Sequence, residues 1–217
     1  MTVMKEGIAM KPLQTRRSNP LFREPYDSQL FEQKFASCLY STLLSKSTFY
    51  DIVVLCIGTD RSTGDALGPI IGSKLNKLFP KQMTVYGTLD HPVHAVNLNE
   101  TLTQIKNRHR LPYIVAVDAC LGEMKHIGTV TLAQGPLKPG AAVQKRLPEV
   151  GDVHLTGIVN VGGFMEYFVL QNTRLALVMK MAEKIASGLY YTSLYLEKRK
   201  APTMAATYVL NERVDQS

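Results

Sequence analysis

"IVVLCIGTDRSTGDALGP", running from Ile52 to Pro69, decides the fold. It opens on an unbroken apolar run, Ile52 to Ile57, with none of the polar alternation of a half-solvated strand. Such a run belongs to a strand covered on both faces. Gly58 turns the chain out of it into a loop that holds Asp60, Arg61 and Asp65. A helical pattern, "ALGPIIGSKLNKLF" (66–79), follows at once, with Pro69 in its first turn, where a missing N–H costs little. Buried strand, polar loop and helix make half of a strand–helix–strand unit.

The same grammar repeats outward. "MTVYGTL" (83–89) reads as a second strand, and "NLNETLTQIKNRH" (97–109) as a helix capped by Asn97 or Asn99. "YIVAVDA" (113–119) is a third buried strand ending near Val117, and "HIGTVTLAQG" (126–135) a fourth. Upstream, "SQLFEQKFASCLYSTLL" has apolar residues at helical spacing, with Ser28 as its N-cap. A polar, Gly/Pro-rich stretch covers 135–157, and a long helical pattern begins near Gly162, with Gly188 as a candidate break. Strands alternating with helices and joined by right-handed crossovers predict an α/β chain, a three-layer α/β/α sandwich around a mostly parallel sheet. The expected organisation is a flexible leader (1–27), a single α/β domain (28–196) and a basic tail (197–217) whose "TYVL" is either an edge strand or disordered.

Composition narrows the function classes. The chain has 217 residues, 45% of them hydrophobic and 20% charged, the balance of a globular protein. No apolar run nears the roughly 18 residues that cross a bilayer, and the N-terminus lacks a secretory signal, so a cytoplasmic location is expected. Cys38, Cys56 and Cys120 lack CxxC spacing and read as structural thiols. The net charge of +7 is dispersed, which leaves nucleic acid a runner-up to protein as partner. Oligomeric state is not legible.

In an open parallel sheet the reactive crevice lies beyond the carboxyl ends of the strands. If the first and third strands are neighbours, about 4.8 Å apart, Asp65 and Asp118 meet there. A carboxylate pair can divide acid and base roles, or hold a divalent metal ion. The plainer alternatives are that Asp65 caps its helix and that Asp118 satisfies backbone amides. His91 and His94, beside Asp90 in "LDHPVHAVNLNE", and His154 in "GDVHLTGIVN" are candidate metal ligands or proton shuttles. Asp60, Arg61 and Asn160 are candidate substrate-binding residues, whereas His109 and His126 are expected to be exposed.

"GTDRSTGDALGP" together with "VDACLG" resembles the YyaC group of sporulation proteins, related to the spore germination protease and, more distantly, to the hydrogenase-maturation endopeptidases. The resemblance covers about residues 50–190. It implies their sandwich fold, a forespore or spore setting, and Asp65 and Asp118 at the positions of the proposed catalytic aspartates of the germination protease. By the maturation endopeptidases, the same two positions and a His, nearest to His154 here, would meet a nickel ion carried by the substrate protein. Two function classes follow. One is a peptidase-like hydrolase, using the aspartate pair or a metal, that acts on a protein or peptide such as small DNA-binding spore proteins. The other is a non-catalytic spore protein that binds a protein or DNA through the crevice or its basic surface.

Overall fold

In chain order the elements are β1 (Phe22–Pro25), α1 (Phe31–Leu43), β2 (Asp51–Cys56), α2 (Leu67–Lys77), β3 (Thr84–Tyr86), α3 (Leu98–Arg108), β4 (Pro112–Gly122), β5 (Thr129–Gln134), β6 (Val153–Val161), α4 (Glu166–Gln171) and α5 (Leu175–Val214). The computed structural model describes residues 20–47, 50–139 and 147–214, with side chains as far as Arg199. The six strands form one mixed sheet in the order β1-β5-β6-β4-β2-β3. The β3-β2-β4-β6 half is parallel, while β5 and β1 add an antiparallel flank. The α/β sandwich expected from the sequence is the fold observed.

β2 lies inside the sheet, and every residue from Ile52 to Cys56 is buried. Its side chains alternate between two cores. Ile52, Val54 and Cys56 join the core under α1, α2 and α5, while Val53, Leu55 and Ile57 join a smaller one under α3 with Leu137 and Val150. Full burial of such a side chain stabilises by roughly 1.5–3 kcal/mol, so both faces hold this strand in register.

Several elements depart from the sequence reading. Phe22–Pro25, placed in the leader, pairs with β5 as an edge strand, where Pro is tolerated. α1 starts after Leu30 in a left-handed conformation (φ 58), and the expected cap, Ser28, donates its hydroxyl to Glu24 instead (2.6 Å). β6 occupies what read as the end of a polar loop. α5 runs unbroken through Gly188; a Cβ there would lie 2.4 Å from the Phe35 ring, so the glycine serves the packing of α5 on α1. The same helix continues past residue 197 and takes in "TYVL", in place of an edge strand. His109, expected to be exposed, has a side chain only 9% exposed and sits between the Tyr86 hydroxyl (3.0 Å) and Asp51 Oδ2 (3.4 Å).

Candidate active site

Three segments meet at the carboxyl end of β2. Cys56 pairs with Val117, and one residue on, the Ile57 N–H still donates to the Val117 carbonyl (2.7 Å). The Gly58 N–H then donates to the carbonyl of Val93, in the loop after β3 (2.8 Å). Gly58 has φ +143, and a Cβ on it would lie 1.9 Å from the backbone oxygen of Asp65. Only glycine permits that approach, which folds the acid loop back over the strand exit.

Asp65 does not cap its helix: Ala66 holds that place, and no side chain bonds the helix start. Among the described residues its carboxyl has no hydrogen bond or ion pair, and burial pushes its pKa above the usual carboxylate value. Asp118 follows Val117 directly, so it stands on the same rim. It is a residue of β4 itself, not of the loop expected there, because β6 extends the ladder to Gly122 and sets Thr156 opposite Asp118. Its Oδ1 accepts the Ala119 N–H (2.9 Å).

α4 is bolted to this loop. The Gly64 N–H donates to the Leu170 carbonyl (2.9 Å). Asn160, read as a substrate binder, gives its amide to the Val169 carbonyl and Thr173 Oγ1, both at 3.3 Å. Its Oδ1 accepts the Val161 N–H, so this side chain positions α4. Asp60 and Arg61 are exposed and form no ion pair with each other; the Arg61 N–H donates to Thr59 Oγ1 (3.3 Å). The sequence reading passed over Ser62, whose hydroxyl is buried without a partner three residues before Asp65. Nothing in local sequence distinguishes it from any loop serine.

The metal reading is not supported by the described residues, no three of whose His, Cys, Asp and Glu side chains gather as a ligand set. His154 lies within β6 opposite Ala116, and its Nδ1 bonds the Gly135 carbonyl (2.8 Å). His91 and His94 belong to a cleft beside β3, with His94 Nδ1 accepting the Val96 N–H (3.3 Å). Asp65, Asp118 and these histidines therefore do not assemble the expected shell. The cysteines offer no alternative nucleophile: burial raises Cys56 to about 12 and Cys120 to about 11.

A family model described as "Protein of unknown function (DUF1256)" matches residues 24–188. The chain belongs to this family. It is 58% identical over 154 residues to "Uncharacterized protein YyaC" of Bacillus subtilis (strain 168), covering 71% of this chain and 75% of that one. A solved [NiFe] hydrogenase maturation protease, HycI from Thermococcus kodakarensis KOD1, aligns over 71% of this chain and 97% of its own, at 17% identity and a TM-score of 0.44. A likeness of that degree carries no argument about activity. No helix of the described residues is long and apolar enough to cross a membrane.

Proposed function

We propose that this DUF1256 chain is a peptidase-like hydrolase of sporulating cells that cuts a protein substrate with Asp65 and Asp118. The observation that carries the reading is the partly buried Asp65 carboxyl, unpartnered among the described residues and shifted toward its protonated form, on the rim that also holds Asp118. Two acids in unlike surroundings can divide the work of acid and base. Asp118 takes a proton from water as its oxygen attacks the peptide carbonyl; Asp65 protonates the amine as the C–N bond breaks. Small DNA-binding spore proteins are the substrates suggested by the likeness of "GTDRSTGDALGP" and "VDACLG" to the germination protease. Asp65→Asn and Asp118→Asn, each folded, should lose about 10²–10⁴-fold in cleavage of a purified small spore protein. Wild-type cleavage by both variants ends the assignment.

A second reading is a non-catalytic spore protein that holds a partner. The exposed apolar side chains Phe164 (89%), Met165 (61%) and Phe168 (56%), next to the acid loop, favour it. If it holds, both Asn variants retain the same protein or DNA as the wild type on a low-salt column, with no product from any of them.

A further inference from the structure

The rim opposite the acid site, at the amino ends of the parallel strands, is built differently. The connections from α2 to β3 and from α3 to β4 both reach it, and both line one small hollow, through Lys81 and Gln82 on one side and His109 on the other. Each connection carries an apolar side chain into water: Phe79 is 82% exposed and Leu111 56%. Each also holds that residue in a left-handed backbone, φ 53 and φ 50, directly before a proline, Pro80 and Pro112. Glycine or asparagine takes such a conformation cheaply, and a residue before proline is driven toward extended backbone. A bulky residue kept there is strained and exposed at once, and strain of that kind gathers where a position serves a function.

Cations bracket both tips. Lys77 and Lys81 flank Phe79, while Lys106, Arg108 and Arg110 lead into Leu111. All five are exposed, and among the described residues only Lys81 of the five has an ion pair, with Glu197 (2.8 Å). The aspartates of this rim are engaged: Asp51 accepts the Arg110 N–H (3.0 Å) and Asp152 the Ile114 N–H (2.7 Å). A helix C-terminus presents roughly half a negative charge, so the ends of α2 and α3 call for about one cation between them, not five. Apolar tips set among cations fit the headgroup layer of an anionic bilayer, where the tips enter the acyl boundary and Lys and Arg meet lipid charge. Duplex DNA would match the cations and leave Phe79 and Leu111 in water. The other bulky residues held left-handed among the described residues, Leu30 and Met165, lie at the acid rim beside Glu32 and Glu166, where an anionic surface is repelled.

We infer that the turns at 77–81 and 106–111 dock this protein on an anionic lipid surface. Pro112 and Asp118 both belong to β4 and stand about 20 Å apart along it, so the docked chain keeps its acid site clear of the bilayer. The inference does not rest on the peptidase reading.

Vesicles of phosphatidylcholine alone, or mixed with an equal part of phosphatidylglycerol, serve as probes in sedimentation with the full-length protein. It should pellet with the mixed vesicles, stay free of the neutral ones, and be released by salt. The chain has no tryptophan, so Phe79→Trp adds a single reporter whose emission should move to the blue on the mixed vesicles. Phe79→Asn and Leu111→Asn suit a left-handed backbone and should fold with melting temperatures no lower than the wild type. Each of them, and Arg108→Gln combined with Arg110→Gln, should weaken binding about tenfold or more. Absence of binding to the mixed vesicles overturns the inference, as does equal binding to the neutral ones. So does a loss that follows Phe164→Ser, at the acid rim, while Phe79→Asn binds like the wild type. Duplex DNA that binds the wild type and Phe79→Asn alike, and displaces the mixed vesicles, assigns the rim to nucleic acid and overturns it too.

Discussion

Two loops reach the carboxyl rim of the sheet side by side, and they use their polar groups in opposite ways. The loop after β3 uses several of its polar groups to hold its own shape. Thr88 and His91 bond each other, through Thr88 N–H to the His91 carbonyl (3.1 Å) and His91 N–H to Thr88 Oγ1 (3.1 Å). Asn97 accepts the His94 N–H (2.8 Å) and donates to the Pro92 carbonyl (3.0 Å). The loop after β2 leaves the Asp65 carboxyl and the Ser62 hydroxyl without a described partner, although one is partly and the other fully buried. Buried polar groups are ordinarily satisfied, so the contrast separates a loop that spends its groups on its own shape from one that leaves two of them open.

The strongest way to break that contrast is Gly58→Ala. The new Cβ meets the Asp65 carbonyl at 1.9 Å in a backbone conformation side chains rarely adopt. Destabilisation of about 3 kcal/mol or more should appear in urea melts. A variant as stable as the wild type would show that the loop does not rest on the strand exit. Next comes Asn97→Ala, which removes two of the bonds that hold the 92–97 turn and should cost about 1–3 kcal/mol. A loss below measurement error would deny that this loop depends on its own side chains.

A pH comparison sharpens the picture at Asp65. Burial raises its folded-state pKa, so between the ordinary value near 3.9 and the raised one the native state keeps a proton that the unfolded chain has lost. Stability therefore falls as pH climbs through that window. Asp65→Asn should gain on the wild type from pH 3.5 to pH 7 in melting temperature, and a gap that stays constant or shrinks contradicts the burial argument. The smallest effect is expected of Ser62→Ala. Removing an unpaired buried hydroxyl should leave stability unchanged or raise it by up to about 1 kcal/mol. A loss beyond that would mean the hydroxyl is engaged in the native protein.

Much of the fold was legible because its signals are local. The apolar run at Ile52–Ile57, the glycine exit and the helix from Leu67 follow from periodicity alone. The miss at β6 was avoidable: Val153, Leu155 and Val159 are buried while His154 and Thr156 are not, the alternation of a strand with one covered face. Gly157 and the polar flanks masked it. β1 had no such signal, since Phe22 is its only buried residue and an edge strand draws its stability from the neighbour it pairs with.

By itself the sequence determined that a buried strand ends in a glycine turn carrying Asp65, and that a second buried segment carries Asp118, because burial and turning are written into neighbouring residues. Only the tertiary structure decided that β2 and β4 lie side by side, that Asp118 stays within its strand, and that the histidines are held elsewhere. Those outcomes depend on strand order and register, which pair Cys56 with Val117 and Asp118 with Thr156, residues 61 and 38 positions apart. Contacts between such distant residues leave no mark in the local pattern of either.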